Sequence, residues 1–487
     1  ARVEAAIEAL PEPTPTAMPV GRKAFVCLCE DVTAKELVQG VKEGFASLET
    51  LKRYSTITMG PCQGKQCHGN ANRVTAAIRG VPREVVGLTT YRPPVQPVPL
   101  GVLAGPHLHP VRRTALHDRH DDAGATWMDM GDWKRPLHYG DVDAEIRAVH
   151  ARVGLIDVST LGKIDIQGPD AAAFLDFVYT NTFSTLAVGK VRYGLMLRED
   201  GHVMDDGTSA RLGPGHFVMT TTTAAAGLVM RHLDFVLQVL RPDWDVQVTS
   251  VTEQWAQFAV AGPQARGLLN GLLDSPVDDA TMPYMGCGGV MVAGVPGRLF
   301  RISFSGEHAY EIAVPARFGA SLYRLLVAQA ESLGGGPYGM EALNVLRIEK
   351  GLITHAEIHG RTTAFDIGAE RMVSLKKDCV GQAASRRPGL LEDTREQLVG
   401  LRAIDPTAPI TAGAHLFDKA ADAVRVNDQG YVTSVCWSPT VGSNLGLGFL
   451  KNGPARMGEK VRLVDHLRGI DTPCEVCLLY TSDAADE

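Results

Sequence analysis

Four cysteines near the start of the chain constrain its fold more than any other feature. Cys27 and Cys29 form a Cys-x-Cys pair, and Cys62 and Cys67 form a Cys-x4-Cys pair within residues 59–67. Two close thiol pairs, brought together by the chain between them, supply the four thiolates that an iron–sulfur cluster or a structural zinc ion needs. The pattern therefore predicts a small module built around a metal centre.

The spacing leaves the kind of metal centre open. Structural zinc usually binds Cys-x2-4-Cys pairs, and Cys27 and Cys29 are closer than that, whereas a [2Fe–2S] cluster accepts varied spacings. A disulfide is disfavoured because nine cysteines in 487 residues do not form a disulfide framework, and they fit a reducing setting. Cluster and zinc are equally compatible with the spacing, and unligated thiols are a third interpretation.

The charge balance and the distribution of apolar residues argue against two kinds of partner. The chain carries 48 basic and 55 acidic residues, a net charge of -7, which is unlike a protein that binds nucleic acid or an anionic membrane. No stretch approaches the ~20 apolar residues needed to span a bilayer, and no signal peptide is visible at the start. We therefore expect a cytoplasmic protein of about three domains at about 150 residues each.

Local patterns divide the chain into segments. Residues 34–43 and 48–54 have helical periodicity, with Thr33 as a helix cap, and residues 163–167 alternate as a half-buried strand does. Further strands are predicted at 299–304 and 310–314 and a helix at 316–333. The predicted fold class is α+β, with a Pro-rich linker at 1–20, a small cysteine-rich helical module at 21–90, a connector at 91–130, a multi-lobed α/β domain at 131–387, a small β-barrel at 388–476, and a tail at 477–487 that resembles a translated sequencing adapter.

Two adjacent carboxylates stand out in the α/β domain. Asp205 and Asp206 follow an apolar run, and neighbouring side chains on a strand point to opposite faces. One carboxylate can therefore enter a pocket while the other stays solvated, and a carboxylate beside a reacting amine can take its proton. The alternative, which composition alone favours, is an Asp-Asp-Gly turn.

Glu311 is the other acidic candidate. It alternates with Tyr310 and Ile312 and so faces the opposite side of a predicted strand. A carboxylate on an otherwise apolar strand needs a partner, and it can accept paired hydrogen bonds from an amino-pyrimidine edge. A structural salt bridge explains the same pattern equally well.

Four histidines raise the question of a further metal site. His107, His109, His117 and His120 stand in sequence rich in arginine and aspartate. Solvated or interface histidines are therefore the favoured interpretation.

The cysteine-containing residues resemble a known kind of module. Residues 25–33, 51–54 and 59–67 are similar to the bacterioferritin-associated-ferredoxin-like [2Fe–2S] module, in the version found inside amine and opine oxidase subunits. The second pair departs from the stand-alone ferredoxin, which typically has Cys-x2-Cys, and classical sarcosine oxidase alpha subunits often lack these cysteines. The resemblance implies a [2Fe–2S] cluster held by Cys27, Cys29, Cys62 and Cys67.

The larger part of the chain, about residues 130–475, resembles the aminomethyltransferase (glycine-cleavage T-protein) family. The similarity is carried by residues 153–159, 168–171, 201–206, 305–311, 346–351 and 433–439. It implies a tetrahydrofolate-binding domain in which Asp206 is the catalytic carboxylate and Glu311 holds the pterin ring. Tyr193 is expected to line that pocket, and Asp205 and Tyr310 are expected to contact the folate beside it.

Departures from the T-protein pattern resemble sarcosine oxidase alpha subunits instead. T-proteins carry an arginine where this chain has Leu343, and a tryptophan near residues 371–374. Residues 105–118 and 133–136 also look like that alpha subunit and have no counterpart in a T-protein. The resemblance implies oxidative demethylation of an N-methyl amino acid, with the one-carbon unit passed to tetrahydrofolate to give 5,10-methylenetetrahydrofolate.

The same resemblance predicts components outside this chain. They are NAD in an N-terminal part that the chain lacks, FMN at a subunit interface, and a flavoprotein beta subunit with small subunits in a hetero-oligomer. Two other functions stay open: a free-standing tetrahydrofolate-dependent aminomethyltransferase, and a non-catalytic assembly subunit of an N-methylglutamate or dimethylglycine dehydrogenase-type complex. The choice of amine is expected to lie in the beta subunit.

Overall fold

The computed structural model describes residues 23–90, 105, 110–392 and 394–477. The chain divides into two compact units, Ala1–His109 and Pro110–Glu487, which are described one at a time. The predicted linker at 1–20, His107 and His109 of the connector, and residues 478–487 of the predicted tail lie outside the described residues.

The first unit is a small helical module with one short pair of strands. Its described elements are β1 (Phe25–Cys27), β2 (Val32–Thr33), α1 (Ala34–Lys42), α2 (Leu48–Ser55), α3 (His68–Arg79) and α4 (Arg83–Val86). Thr33 caps α1, where the Glu36 carboxylate accepts its backbone N–H at 2.7 Å, so the predicted helix and cap are confirmed. Leu37, Leu48 and Leu51 pack together in the core of this unit.

The second unit begins with a hairpin and two interleaved sheets. Its first elements are α5 (His117–Asp122), β3 (Thr126–Met130), β4 (Trp133–His138), α6 (Val142–Ala151), β5 (Gly154–Asp157), β6 (Gly162–Gln167), α7 (Ala171–Val178), β7 (Lys190–Leu197), β8 (Val203–Gly213), β9 (His216–Thr221), α8 (Ala226–Phe235), β10 (Gln247–Ser250) and β11 (Trp255–Ala261). They are followed by α9 (Ala265–Asn270), β12 (Cys287–Val292), β13 (Val295–Phe300), β14 (Ala309–Pro315), α10 (Gly319–Ser332), β15 (Gly336–Pro337), α11 (Met340–Glu349) and α12 (Gln382–Ser385). One sheet has the order β10–β6–β9–β8–β7 and the other β12–β13–β14–β11–β5–β15.

A closed barrel completes the second unit. Its strands are β16 (Glu396–Ala403), β17 (His415–Asp418), β18 (Gly430–Ser438), β19 (Ser443–Lys451), β20 (Lys460–Asp465) and β21 (Ile470–Cys477), in the spatial order β16–β19–β18–β17–β20–β21. The predicted α+β class and the terminal barrel are therefore confirmed. Cys477, which the sequence placed in the tail, ends β21 and pairs with Gly400.

Helices cover one face of each sheet. Phe258 and Ile312 of the six-stranded sheet pack with Leu326 of α10, and Phe217 of the five-stranded sheet packs with Leu233 of α8. Because side chains alternate along a strand, residues next to these core positions point to the other face of each sheet. Those free faces form walls of the cavity described below.

Three local predictions differ from the structure. The strand predicted at 299–304 ends at Phe300, and residues 301–304 form a loop beside the cavity. The helix predicted at 316–333 begins as a 3-10 turn over Ala316–Phe318. The predicted connector at 91–130 contains α5 and β3 as ordered elements.

One helical stretch also bears on the membrane question. Residues Thr223–Leu240 are long and apolar enough to cross a membrane by length and composition alone, although the sequence led us to expect no such stretch. Val229, Leu233 and Val236 of this stretch are buried in the core against the five-stranded sheet. A core helix passes the same test, so this is weak evidence of a span.

Candidate functional site

A cavity of about 1640 Å³ lies in the second unit. It is lined by the β3–β4 hairpin, the free faces of the two sheets, the start of α11, the loops at 351–356 and 365–372, residues 390–392, Arg395, and the start of the barrel strand β16. Typical small-molecule sites occupy about 300–1,000 Å³. The cavity therefore has room for a large ligand together with a second reactant.

Asp206 and Tyr193 form a hydrogen-bonded pair on one wall of the cavity. The Tyr193 hydroxyl of β7 donates to Oδ2 of Asp206 on β8 at 2.7 Å, and both residues line the cavity. Burial, reinforced by the negative charge of Asp205, raises the pKa of Asp206 to about 6, although the Tyr193 hydrogen bond opposes the shift. Burial also raises the pKa of Tyr193 well above its usual value, so this phenol stays a donor. A carboxylate that titrates near neutrality suits proton transfer.

A glycine shapes the strand beside Asp206. Gly207 follows Asp206 on β8, and a Cβ added there would lie 2.1 Å from the carbonyl oxygen of Thr220 on β9. No side chain fits at that distance, so a glycine is needed for β8 and β9 to approach beside the cavity. The apparent Asp-Asp-Gly turn is therefore a continuous strand, and the turn alternative is wrong.

Asp205 has a different environment from its neighbour. It is fully buried, does not line the cavity, and lies 3.0 Å from Nε2 of His355, which does line it. The backbone N–H of Thr222 also donates to its carboxylate at 3.3 Å. The expectation that one of the two carboxylates stays solvated is wrong, because His355 and a backbone amide replace water around Asp205.

Glu311 lies on another wall of the cavity. It is 7% exposed and accepts a hydrogen bond from the Gln257 side-chain amide. No lysine, arginine or histidine in the described ranges approaches within 4.0 Å of its carboxylate, so the salt-bridge interpretation is not supported. Burial raises the pKa of Glu311, and the positive charges of Lys163 and Arg135 oppose that shift.

Tyr310 faces away from the cavity, so the structure does not support the expectation that it contacts the folate. Its ring is fully buried in the core of the six-stranded sheet, on the side covered by helices. Its hydroxyl accepts a hydrogen bond from Nε of Arg266 at 2.9 Å. The alternation that turns Glu311 toward the cavity turns Tyr310 into the core.

Two cations near Glu311 were missed from the sequence. Lys163 is 2% exposed and donates to the carbonyls of Ser159 and Leu161, and its burial lowers its pKa to about 8. Arg135 lines the cavity and donates to the Asp157 carbonyl at 3.1 Å, while its Nε has no partner within the described part of the chain. Lys163 stood at a polar position of an alternating strand, which normally predicts solvation.

Among the described residues, the histidines of the second unit belong to no group that could hold a metal ion. His120 is 1% exposed, lies 3.2 Å from Asp157, and accepts from or donates to the Tyr139 hydroxyl at 2.8 Å. The prediction of a solvated or interface histidine is therefore wrong for His120. His117 stacks on Trp127 with ring centroids 4.2 Å apart.

The four cysteines of the first unit meet as two thiol pairs. Cys27 contacts Cys67, and both are buried, whereas Cys29 contacts Cys62 and these two are more exposed. The backbone N–H groups of Gln66, Gly64 and Lys65 donate to the Cys62 sulfur and lower the pKa of its thiol. Among the described residues, three or more Cys, His, Asp or Glu side chains nowhere surround one point as ligands of a single ion would.

Residues at which the sequence departs from the T-protein pattern line the cavity. Leu343 of α11 lines it, and so do Arg371 and Met372. Leu343 is apolar, whereas Glu341 and Asn344 of the same helix also line the cavity. The α11 side of the cavity therefore combines apolar and polar side chains.

Comparisons with known proteins agree with this division of the chain. Residues 116–377 match the GCVT N-terminal domain, residues 21–106 the sarcosine oxidase A3 domain, and residues 396–483 the glycine cleavage T-protein C-terminal barrel domain. The chain is 46% identical to sarcosine oxidase subunit alpha of Rhizobium meliloti (strain 1021) over 93% of its own length and 48% of that protein. It thus spans about half the length of the curated alpha subunits it matches.

Aminomethyltransferases are matched over nearly their whole length. The aminomethyltransferase of Streptomyces coelicolor is 32% identical, with 76% of this chain and 97% of that protein covered. The crystal structure of glycine cleavage system aminomethyltransferase T from Bartonella henselae superposes with a TM-score of 0.67 at 25% identity, covering 77% of this chain and 99% of that one. The second unit therefore has the T-protein fold.

Proposed function

The chain belongs to the glycine cleavage T-protein (GCVT) family, in the form found in sarcosine oxidase alpha subunits, and from that premise we propose that it transfers a one-carbon unit, produced by oxidation of an N-methyl amino acid, to tetrahydrofolate. The homology itself supports a folate-dependent one-carbon transfer role. The amine oxidation and its flavoprotein partner are proposals, because they concern parts of the complex beyond this chain.

The observation that carries the proposal is the pair of carboxylates, Glu311 and Asp206, on the walls of one cavity. Glu311 has no ion pair among the described residues and keeps lone pairs for a ligand. The 2-amino group and N3–H of a pterin form two parallel donors, which a carboxylate accepts together. Lys163 and Arg135 favour the ionised form of Glu311 without occupying it.

The second carboxylate suits the chemistry at N5 of the pterin. Oxidation of an N-methyl amine by two electrons, which a flavin of the partner subunit would accept, gives a methylene iminium ion. N5 of tetrahydrofolate, the acceptor substrate, then forms a bond to that carbon and must lose its proton. Asp206, with a pKa of about 6, is largely ionised at neutral pH and takes that proton, while Tyr193 holds its other oxygen.

For the first unit we propose a [2Fe–2S] cluster rather than zinc, because residues 25–33, 51–54 and 59–67 resemble a [2Fe–2S] module. A two-iron cluster takes two thiolates at each iron, whereas a single tetrahedral zinc ion takes all four. The contacts of Cys27 with Cys67 and of Cys29 with Cys62 are compatible with both, because Cys62 also acts on Cys67 and Cys27 on Cys29. When bound, the cluster would supply one-electron transfer. FMN at a subunit interface and NAD outside this chain stay predictions by resemblance.

A free-standing aminomethyltransferase is the second candidate. Its support is that the match covers 97% of the Streptomyces coelicolor aminomethyltransferase and that the described residues that line the cavity all belong to the second unit. Transfer from a carrier-bound aminomethyl group without a flavoprotein partner would favour it. A non-catalytic assembly subunit is disfavoured, since side chains do not fill the cavity and neither Asp206 nor Glu311 forms a direct ion pair with another described residue.

The proposal is tested in two stages. First, titration calorimetry of the full chain with tetrahydrofolate should show binding at one site, and folinic acid, which is blocked at N5, serves as a ligand control. Second, the complex purified from its native source should convert a panel of N-methyl amino acids to methylenetetrahydrofolate when folate is present and to free formaldehyde when it is absent. A chain that does not bind tetrahydrofolate, or formaldehyde release that folate does not change, contradicts the proposal.

A further inference from the structure

His355 is the part-exposed member of the acidic cluster at the cavity. Its Nε2 lies 3.0 Å from Oδ1 of Asp205, and its side chain is 39% exposed and lines the cavity beside Asp206. With Nε2–H donated to Asp205, the other ring nitrogen faces no partner among the described residues. His355 is therefore an imidazole held at one end by a buried carboxylate and free at the other.

The proposed transfer needs more than one proton movement. The iminium carbon forms a bond to N5 of tetrahydrofolate, the bond from that carbon to the amine nitrogen then breaks, and a bond to N10 forms. The N–H protons of N5 and N10 both leave the folate, and both end on the released amine, which departs as an ammonium ion. The reaction thus requires a base for N5 and an acid for the departing nitrogen.

One carboxylate serves poorly as both groups at once. Asp206 has one oxygen occupied by the Tyr193 hydroxyl, and while it holds the proton from N5 it cannot accept the proton that N10 must lose. A departing amine needs its proton when the carbon–nitrogen bond breaks. A second acid on the same cavity removes this conflict.

We propose that His355, oriented by Asp205, is that second group, the general acid that protonates the departing amine nitrogen. This assignment rests on the proposed function. Asp206 takes the proton of N5, His355 gives its proton to the amine, and the carbon–nitrogen bond breaks. N10 then bonds to the carbon and returns its proton to His355, and Asp206 passes its proton to the released amine through the cavity. Both side chains end in their starting state.

The surroundings of His355 support this division of roles. The hydrogen bond to Asp205 is the main reason that the pKa of His355 is raised, and the charge of Asp206 adds to it. The neighbouring Glu357 is tied to Arg347 at 3.0 Å and does not compete. The hydrogen bond to Asp205 thus favours the protonated, proton-donating form of His355, and the ionised form of Asp206 beside it can act as the base.

The test uses the full chain without its partners. Glycine and formaldehyde form the N-methylene iminium in solution, and the rate of methylenetetrahydrofolate formation above the protein-free rate is followed from about pH 5 to about pH 9. In wild type we expect a bell-shaped profile, with an acid limb from Asp206 and an alkaline limb from His355. In His355→Gln, kcat should fall about 10²-fold and the alkaline limb should vanish. The KM for tetrahydrofolate should change little.

A matched variant distinguishes this role from a structural one. His216 begins β9, in the sheet that carries Asp205, and it resembles His355 in being part-exposed (31%) and close to a carboxylate, 3.1 Å from Asp165. It does not line the cavity, so His216→Gln should behave as wild type. In His355→Ala, added imidazole should restore part of the lost rate. Equal rates and pH profiles in the two glutamine variants, or no rescue, would overturn the assignment. Absence of transfer by wild type would overturn the proposed function as well.

Discussion

Replacing Glu311 by glutamine should separate ligand binding from stability. The ionised carboxylate is expected to accept two hydrogen bonds from the pterin edge, each worth about 1.5–3 kcal/mol for a charged acceptor. A glutamine keeps one acceptor and turns an NH2 toward the second donor. The expected loss is therefore about 3 kcal/mol, which corresponds to about a hundredfold weaker binding of tetrahydrofolate.

The same substitution should leave the fold intact or stabilise it. Glu311 is 7% exposed, and burial raises its pKa, which means that the folded chain disfavours the ionised form. Removing a buried charge that lacks a direct ion pair relieves that cost, so the free energy of unfolding at neutral pH should be unchanged or higher. Weaker binding in a chain of equal or greater stability is the combination that identifies a ligand-binding carboxylate.

Calorimetry and urea unfolding of Glu311→Gln and of a matched control measure both quantities. Glu145 is 8% exposed and accepts backbone N–H groups of Tyr139 and Gly339 at 2.6 and 2.9 Å, so Glu145→Gln should lower stability by about 1–3 kcal/mol and leave affinity within about threefold. In wild type, affinity should fall as the pH drops through the raised pKa of Glu311, and this dependence should be absent in the glutamine variant. Unchanged affinity in Glu311→Gln refutes the reasoning.

Three further predictions concern other residues. In the native complex, Asp206→Asn should lower the yield of methylenetetrahydrofolate by about 10²-fold while amine oxidation continues and formaldehyde accumulates, and an unchanged yield removes its role as base. His150 lies 2.9 Å from both Glu307 and Glu349, and these two carboxylates raise its pKa to about 9. Its contribution to stability, up to about 3 kcal/mol, is fully present below about pH 6.5 and is lost as the pH rises through about 9. His150→Gln should therefore remove this pH dependence from urea unfolding curves. Purified protein should contain iron and sulfide with visible absorbance that Cys62→Ser abolishes, and a colourless zinc protein would contradict the cluster.

Local patterns predicted the elements that local interactions determine. The helix after Thr33 and the strand at 163–167 follow from capping and alternation within a few residues. Alternation also predicted that Glu311 faces away from Tyr310 and Ile312, and the structure confirms that facing. The ligand roles of Asp206, Glu311 and Tyr193 stay predictions, although all three line one cavity.

Contacts between distant residues could not be predicted in this way. Asp205 and His355 are 150 positions apart, and no local pattern links a buried aspartate to a histidine on a remote loop. Lys163 occupies a position that alternation assigns to solvent, yet carbonyls from its own turn satisfy it. The T-protein resemblance led us to expect Tyr310 at the folate, whereas its position next to Glu311 on a strand places the two side chains on opposite faces.

The charges of Asp206 and Glu311 are balanced without direct ion pairs, and this explains how the cavity can hold these two acids and still bind a ligand. Asp205 is hydrogen-bonded directly to His355, but Asp206 and Glu311 receive only longer-range attraction, from His355 and from Lys163 and Arg135 respectively. A direct salt bridge would use the lone pairs that a ligand needs, whereas an isolated buried carboxylate would take up a proton. Cations that make no direct ion pair with these two carboxylates avoid both outcomes, because they favour ionisation while leaving carboxylate lone pairs free for a ligand. The same arrangement makes those cations positioning groups, so neutralising Lys163 should weaken tetrahydrofolate binding by raising the pKa of Glu311, without any contact to the ligand.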